Sequence, residues 1–403
     1  MSYKNSEPRP PIMQGSPVPP RWRPPRNEWD SPPWNRWSFQ HVREILPTTE
    51  VWRGTGPVRE LPVDLQDIDG IEFSDAEGQT QTFAGMLEAT YTDGMILIHR
   101  GRVIHESYHN GMTPRTLHLS QSVAKSVTAA ACGVLIDQGV LDPDAPLEDI
   151  MPELADTAYR GATIRHPLDM ASGVRFDETY TDPHSDIAKV DIACGWRLPP
   201  DDSGTWPASM WEQILTLKTK EAEHGSRFLY RSIETDVIAH VMERVSGKRL
   251  AEIVSETLWQ RLGVEESACF TVDSAGYALA DGGFNATLRD YARFGLAMLE
   301  GGEVMGVQVI PKPFIDDTMQ GDRRLFNQES RETLPNGAYR NQFWVEDAEH
   351  QTILAKGVFG QLILISPELE MVAVKLSTWP DFLNPSFDIA ARSGIRAVAE
   401  ALA

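Results

Sequence analysis

The sequence is poor in cysteine, with three in 403 residues: Cys132, Cys194 and Cys269. They lie far apart, and no pair has the C-x-x-C spacing. A disulfide framework or a zinc knuckle needs more cysteines at closer spacing, so neither is expected. Unpaired cysteines fit a reducing compartment, and we expect the protein in the cytoplasm.

Long apolar runs and excess positive charge are also missing. No stretch is long and apolar enough for a transmembrane helix, and the start of the chain does not resemble a signal peptide. Lysine and arginine number 37 against 58 aspartates and glutamates, a net charge of −21. Such a charge repels nucleic acid and anionic membranes, so neither is an expected partner. Separately, no cofactor is expected.

The first part of the chain contains too many prolines for regular secondary structure. Residues 1–38 are rich in proline, arginine and tryptophan, as in PPRWRPPRNEWDSPPWNRW. Proline breaks helices and central strands, whereas tryptophan usually buries against something. We therefore predict an extended arm over residues 1–60, laid over the body of the protein or over a neighbouring subunit.

After this arm the residue pattern indicates strands and then a buried helix. GMILIHRGRVIHESYHNG, which starts at Gly94, alternates and predicts two strands joined by a tight turn at residues 100–102. Residues 122–141 are Ala-rich and apolar on nearly all sides, which is typical of a buried helix. A second hairpin is predicted over residues 361–377, with its turn at Pro367-Glu368. Further helices are predicted at residues 233–245, 250–262 and 387–402.

Strands near both ends of the chain, with helices between them, predict an α/β fold. We expect an antiparallel sheet flanked by helices, formed by residues 61–125 and 281–403. Residues 126–280 are predicted to form an inserted, mainly helical domain. The active site is expected between the two.

A zinc-protease pattern, H-E-x-x-H, occurs as His105-Glu106-Ser107-Tyr108-His109. On a helix the two histidines would lie about 6 Å apart on one side and could share one ion. In a strand they lie about 13 Å apart, too far for one zinc. The alternation around them favours a strand and no third ligand follows, so we predict no metal site.

The segment 120-SQSVAKS-126 opens the predicted buried helix with the pattern S-x-x-K. Ser122 and Lys125 are three residues apart and therefore neighbours on one helix face. Serine becomes a nucleophile when a base removes its proton, and a lysine can act as that base if burial and nearby positive charge lower its pKa. The same pattern also suits a helix start with Ser120 or Ser122 as N-cap and an incidental lysine.

Three segments together resemble the serine hydrolases of the β-lactamase and penicillin-binding type. That family has S-x-x-K on a buried helix, then Y-x-N or S-x-N, then K-T-G or a variant before a C-terminal strand. Tyr230-Arg231-Ser232 is similar to the second element, and 355-AKGVFGQ-361 to the third. The stretches NRWSFQHVREILPT and MASGVRFDETYTDPHSD, together with GVFGQ, resemble the branch of 6-aminohexanoate-dimer (nylon-oligomer) hydrolases and family VIII carboxylesterases.

The resemblance implies a β-lactamase-like fold and a role for each matching residue. Ser122 would attack an amide or ester carbonyl, Lys125 would accept its proton, and Tyr230 would donate a proton to the leaving group. The backbone N–H groups of Ser122 and Val358 would form the oxyanion hole, with Gly357 allowing a close approach of the strand.

Further residues are predicted to line the substrate pocket. Tyr180 resembles a tyrosine that closes over substrate in the nylon-oligomer branch. The other candidates are Asp191, Asp281 and Trp344. A homodimer is an extrapolation from the family and from the aromatic arm.

The sequence also departs from the family pattern. It lacks a full K-T-G, for which Lys356 beside Gly357 is a partial substitute, and it has no clear deacylating glutamate of the class A kind. We therefore predict weak or absent β-lactamase activity. No G-x-S-x-G occurs, which argues against an α/β-hydrolase. The leading prediction is a hydrolase of small linear amides or esters; a carboxylesterase, a D-aminopeptidase-like enzyme and a non-catalytic sensor are the alternatives.

Overall fold

The computed structural model describes residues 2–200 and 204–402. The strands are β1 (Thr48–Val51), β2 (Glu72–Ser74), β3 (Thr80–Thr82), β4 (Thr92–His99), β5 (Arg102–Tyr108), β6 (His118–Leu119), β7 (Ala268–Thr271), β8 (Phe284–Ala286), β9 (Glu303–Val304), β10 (Val307–Gln308), β11 (Ala338–Arg340), β12 (Phe343–Asp347), β13 (Thr352–Gly357), β14 (Gln361–Ser366) and β15 (Met371–Ser377).

The α-helices are α1 (Asn35–Ser38), α2 (Phe83–Ala89), α3 (Val123–Asp137), α4 (Leu147–Ile150), α5 (Arg165–Leu168), α6 (Asp186–Ala193), α7 (Met210–Thr216), α8 (Ile233–Ser246), α9 (Leu250–Val254), α10 (Leu288–Leu299), α11 (Lys312–Gln320), α12 (Gln328–Thr333) and α13 (Pro385–Ala401). Short 3₁₀ helices occupy Pro20–Trp22, Val42–Glu44, Pro152–Asp156 and Val358–Gly360, and a π-helical segment, Ser255–Trp259, follows α9.

The main sheet has seven antiparallel strands in the order β11-β12-β13-β14-β15-β4-β5. The N-terminal hairpin β4–β5 joins the C-terminal strands through the β15–β4 pair, in which Val374 lies opposite Ile96. Side chains alternate between the two faces of a strand. Val374 therefore packs into the core shared with α3 and α10, whereas its neighbour Ala373 packs into the core under α2 and α13. The predicted antiparallel sheet flanked by helices is confirmed.

Helix α3 lies between the main sheet and α8. Its residues from Val123 to Leu135 are all buried, which explains why the segment is apolar on every side. Helix α8 matches the predicted 233–245 closely and ends at Gly247, whose φ of 69° closes the helix in the left-handed conformation.

A second sheet, in the order β1-β7-β8-β6, was not predicted. Its strands have only two to four residues, too few for a visible alternation in the sequence. The sheet matters for the site because β6 leads directly into the S-x-x-K segment. The backbone N–H of Ser120 donates to Phe284 O of β8 at 3.0 Å, which fixes the entry to α3.

The proline-rich arm lies on the body of its own chain. Trp29 is fully buried, its ring meets that of Trp196 edge-on at 5.1 Å, and its Nε1 donates to Trp196 O at 3.0 Å. Asn35 donates to Trp379 O at 2.9 Å. The segment predicted as arm also includes β1, which pairs with β7.

In the described ranges, 2–200 and 204–402, no helix has the length and hydrophobicity required to span a membrane.

Candidate active site

Ser122 and Lys125 meet at the start of α3. Lys125 Nζ donates to Ser122 Oγ at 2.8 Å and to the backbone carbonyl oxygen of Asp281 at 2.6 Å. Ser122 stands at the N-cap position, but its side chain makes no capping hydrogen bond. The hydroxyl is therefore held by the lysine rather than by the helix end.

The pKa of Lys125 does not follow the expectation from the sequence. Burial lowers it, but the acidic groups of Tyr230, Asp281, Glu178 and Asp236 outweigh burial and raise it above its ordinary value. The condition named from the sequence, that burial and nearby positive charge lower the pKa of Lys125, is not met, because the groups around it are acidic. Lys125 is therefore mostly an ammonium in the resting protein at neutral pH.

Tyr230 faces these two side chains from the loop before α8. Its ring centroid lies 5.3 Å from Lys125 Nζ, and its ring stacks on Trp344 at 5.6 Å and 19°. Burial raises the pKa of Tyr230, against the lowering effects of the Lys125 charge and of hydrogen bonds with Ser122 and Lys125. The phenol thus keeps its proton at neutral pH and can donate it. Trp344 thus packs against the face of the Tyr230 ring.

Gly357 ends β13 where this strand passes the start of α3. A Cβ atom on Gly357 would lie 2.4 Å from Ser120 O and 3.0 Å from Ser122 N, so only glycine fits. The next residue, Val358, is half-buried. In the described turns and loops, neither the Ser122 N–H nor the Val358 N–H donates to a backbone carbonyl. Both groups are available for an oxyanion.

Lys356, considered as a substitute for the K-T-G lysine, faces away from the cleft. Its Nζ pairs with Asp388 of α13 at 3.0 Å. Because adjacent residues of a strand point to opposite faces, the lysine lies on the side of the sheet away from Ser122. It therefore cannot take the place of that lysine in binding a carboxylate.

Tyr180 lies at the rim of the cleft, and with it comes a carboxyl group that the sequence reasoning missed. Tyr180 is 38% exposed, its ring lies 5.2 Å from that of Phe382, and its hydroxyl donates to Glu178 at 2.9 Å. Glu178 also accepts hydrogen bonds from the Ser232 N–H at 3.0 Å and the Ser232 hydroxyl at 2.5 Å. Burial raises the pKa of Glu178 and the charge of Lys125 opposes it.

Of the two predicted pocket aspartates, Asp281 lies beside Lys125 and Asp191 pairs with Arg197. The Asp281 carboxylate lies 3.9 Å from Lys125 Nζ. Asp191 pairs with Arg197 at 3.0 Å, and Arg197 also pairs with Asp30 of the arm at 2.8 Å. Burial raises the pKa of Asp191 to about 7. Asp191 is thus linked to the arm through Arg197.

His105 to Tyr108 of the H-E-x-x-H segment lie on β5, as predicted, and His109 follows directly after the strand. His105 and His109 both turn toward Ser107, whose Oγ is 2.9 Å from His105 Nε2 and 3.1 Å from His109 Nε2. Glu106 points the other way and pairs with Arg289. Within residues 2–200 and 204–402 no three His, Cys, Asp or Glu side chains are grouped to hold a metal ion.

The chain was compared with known proteins. Residues 77–393 match the β-lactamase family. A 6-aminohexanoate-dimer hydrolase from Paenarthrobacter ureafaciens is 34% identical over 358 residues, 88% of each chain.

Among solved structures, a Bacillus anthracis protein provisionally called a 6-aminohexanoate-dimer hydrolase superimposes with a TM-score of 0.86 at 27% identity, over 96% of this chain and 98% of that one. A family VIII carboxylesterase superimposes with a TM-score of 0.58 at 14% identity, over 78% and 96% of the two chains, and shares the fold. The chain belongs to the β-lactamase family of hydrolases and is similar to 6-aminohexanoate-dimer hydrolases.

Proposed function

We propose that the protein is a serine hydrolase that cleaves small linear amides, of the 6-aminohexanoate-dimer kind, or esters through an acyl-enzyme. The observation that carries the proposal is the 2.8 Å hydrogen bond from Lys125 Nζ, which is buried, to Ser122 Oγ, which is half-buried. A serine beside an amine in a cleft has the means to lose its proton and attack a carbonyl carbon.

The reaction would take place in two halves. Ser122 Oγ bonds to the carbonyl carbon while its proton passes to Lys125, and the carbonyl oxygen becomes an oxyanion held by the N–H groups of Ser122 and Val358. Tyr230 donates its proton to the leaving nitrogen or oxygen, and that bond breaks. Lys125 returns a proton to Tyr230. Water then attacks the acyl carbon and gives a proton to Lys125. The bond between the acyl carbon and Ser122 Oγ breaks, Lys125 returns the proton to Ser122 Oγ, and the acid is released.

The protonation states determine how the rate depends on pH. The attack needs Lys125 as a neutral amine, whereas its pKa is raised in the resting protein by the acidic groups around it. Raising the pH from neutral increases the neutral fraction, so kcat/KM increases with pH until Tyr230 loses its proton.

Two features support a linear amide as substrate. The relative that is 34% identical over 88% of each chain acts on the dimer of 6-aminohexanoate. The cleft around Ser122 carries the carboxyl groups of Glu178 and Asp281, which suit a substrate with an amino group. A carboxylesterase on the same machinery is the second candidate, since an ester needs less help from the acid than an amide.

The test is a substrate panel run on wild type and Ser122→Ala. The panel contains the 6-aminohexanoate dimer and p-nitrophenyl esters of short acids. Turnover of the dimer by wild type and its loss in Ser122→Ala supports the proposal, and turnover of the esters alone favours the carboxylesterase. No turnover in wild type, and no fluorophosphonate adduct on Ser122, would favour a non-catalytic sensor.

Ser126→Ala is the matched control for that panel. Ser126 lies one turn further along α3, and its hydroxyl donates to Gln342 O at 2.8 Å, away from the cleft. The variant removes a buried hydroxyl from the same helix and keeps Ser122. It should retain turnover, so a loss of activity in both variants would point to damaged folding.

The three cysteines are free and buried. This supports the proposal that the enzyme works in a reducing compartment such as the cytoplasm.

A further inference from the structure

Asp236 is a buried carboxyl group behind the catalytic lysine. It is the fourth residue of α8, which begins shortly after Tyr230, and is 1% exposed. Its Oδ1 accepts a hydrogen bond from the Ala280 N–H at 3.0 Å, and the Asp281 N–H also donates to the carboxylate. Its other oxygen, Oδ2, has no hydrogen-bond partner in the described ranges 2–200 and 204–402. Burying a carboxyl group with one oxygen unpaired is costly unless the fold uses it.

Asp236 and Lys125 bind the same segment of backbone, Ala280–Asp281. The Asp281 carbonyl oxygen accepts from Lys125 Nζ at 2.6 Å. From the other side Thr128 of α3 donates to Ala280 O at 3.4 Å. The backbone of Ala280 and Asp281 is thus held between α8 and α3, and Asp236 makes the contact from α8.

This backbone carbonyl sets the direction of the lysine amine. A neutral amine has two N–H donors and one lone pair, and only the lone pair can take the Ser122 proton. An N–H directed at Asp281 O restricts the rotation of the amine and leaves its lone pair free to face Ser122 Oγ, 2.8 Å from Nζ. A shifted carbonyl would allow the amine to rotate away from the hydroxyl.

We propose that Asp236 is a positioning residue for the reaction: it fixes the Ala280–Asp281 backbone so that the Asp281 carbonyl directs the Lys125 amine at Ser122. The inference rests on the proposed function. Asp236 does not touch the substrate and acts through the backbone it binds.

In its ionised form Asp236 also adds negative charge to the surroundings of Lys125. The groups that face it are Lys125 of α3, Asp281 of the loop before β8, Tyr159 and Cys194. Burial and the charge of Asp281 raise the pKa of Asp236, and the charge of Lys125 opposes this. Removing the carboxylate removes one stabilising partner of the ammonium, so the neutral amine forms at lower pH.

The test compares Asp236→Ala with Asp236→Asn in the full-length enzyme, with the dimer and a p-nitrophenyl ester as substrates. Asp236→Ala removes the acceptor and should lower kcat by 10-fold to 100-fold with KM within twofold. Asp236→Asn keeps an acceptor for the Ala280 N–H and removes the charge. It should keep kcat within about threefold on the plateau and shift the acid limb of the kcat/KM profile to lower pH.

Asp290→Asn is the matched control. Asp290 is also fully buried, and it accepts hydrogen bonds from the N–H groups of Glu265 at 2.8 Å and Glu266 at 3.0 Å. Neither of these partners contacts Lys125. It should lose thermal stability with no shift of the pH profile.

Two results would overturn the role of Asp236. One is an Asp236→Asn profile that coincides with that of wild type. The other is a soluble Asp236→Ala variant with wild-type kcat. Neither result touches the proposed function, which fails only if wild type itself turns over no substrate and Ser122 takes up no fluorophosphonate.

Discussion

Lys125 and Lys375 are both buried, at 2% and 0% exposure, but their neighbours differ. Lys125 lies in the cleft between a serine hydroxyl and a backbone carbonyl, with carboxyl groups around it, and its pKa is raised. Lys375 lies on β15 opposite Leu362, on the face of the main sheet covered by α2 and α13. It donates to Thr90 O and Ser377 Oγ, and burial lowers its pKa to about 7.

The comparison separates the burial of an amine from its role in a reaction, two properties that are often linked. Burial lowers the pKa of Lys375 to about 7, so this amine loses its proton easily, yet no substrate can reach it. Lys125 is the harder amine to deprotonate, yet it is the one beside the half-buried hydroxyl of Ser122. The position of an amine relative to its partner therefore decides its role, and burial alone does not.

The largest expected effect comes from replacing each lysine by methionine, which keeps the apolar stem and removes the amine. Lys125→Met should lower kcat by about 10⁴-fold, because the base for Ser122 is lost. Lys375→Met should leave kcat within about twofold, since no catalytic group is touched, and should leave thermal stability equal or higher. The check is steady-state kinetics with melting curves for both variants; equal losses of activity would break the comparison.

Tyr230 gives the next largest effect. Tyr230→Phe should lower kcat for the amide substrate by about 10³-fold, because the leaving nitrogen then departs without a proton. The loss for a p-nitrophenyl ester should be much smaller, since that leaving group needs no proton. Tyr339→Phe is the control, because Tyr339 is buried in the same aromatic cluster with its ring 6.4 Å from that of Tyr230. A Tyr230→Phe variant that hydrolyses both substrates normally would exclude the phenol as the acid.

Gly357→Ala should have a smaller effect, about 10²-fold on kcat/KM, because a misplaced strand displaces the Val358 N–H. The added Cβ would lie 2.4 Å from Ser120 O, so the strand has to shift. Gly70→Ala is the control, since nothing lies within 4 Å of a Cβ there. Kinetics of both variants decide the point, and wild-type kinetics for Gly357→Ala would remove this strand from the oxyanion hole.

The smallest effect is on stability and concerns Lys375. Burial lowers its pKa to about 7 in the folded protein, whereas an unfolded lysine titrates near about 10.4. Between these values the unfolded chain holds the extra proton, so Lys375 makes the free energy of unfolding increase with pH, by up to about 1.4 kcal/mol per pH unit. Below about pH 7 both states are charged and this contribution to the slope vanishes.

Denaturant unfolding of wild type and Lys375→Met at several pH values between about 7.5 and about 9.5 checks this contribution. The slope should be smaller in the variant by the amount assigned to Lys375. Parallel curves for the two proteins would show that the amine remains charged when folded.

The sequence reasoning found what is local in the chain. Alternation over eight and seven residues predicted β4 and β5, and the apolar segment predicted α3, because each pattern lies within one element. The S-x-x-K spacing placed Lys125 beside Ser122 because one helical turn sets their distance. Helix α9 was predicted through residue 262, but its α-helical part ends at Val254 and continues as a π-helical segment.

What the sequence reasoning missed depends on distant parts of the chain meeting. Glu178, Asp236 and Asp281 surround Lys125 from three separate segments, and this set the direction of its pKa. Glu178 in a polar loop and Asp236 on a helix both resemble solvent-exposed charges in the sequence. The burial of Asp236 follows from the packing of α8 against α3, which no local pattern contains.

The most direct test of the central claim is the mass of enzyme quenched in acid during turnover of a p-nitrophenyl ester. We expect wild type to carry one acyl group, located by peptide mapping on Ser122, and Lys125→Met to carry none on the same timescale. Rapid turnover with an unmodified Ser122, or with the acyl group on another residue, would contradict the account.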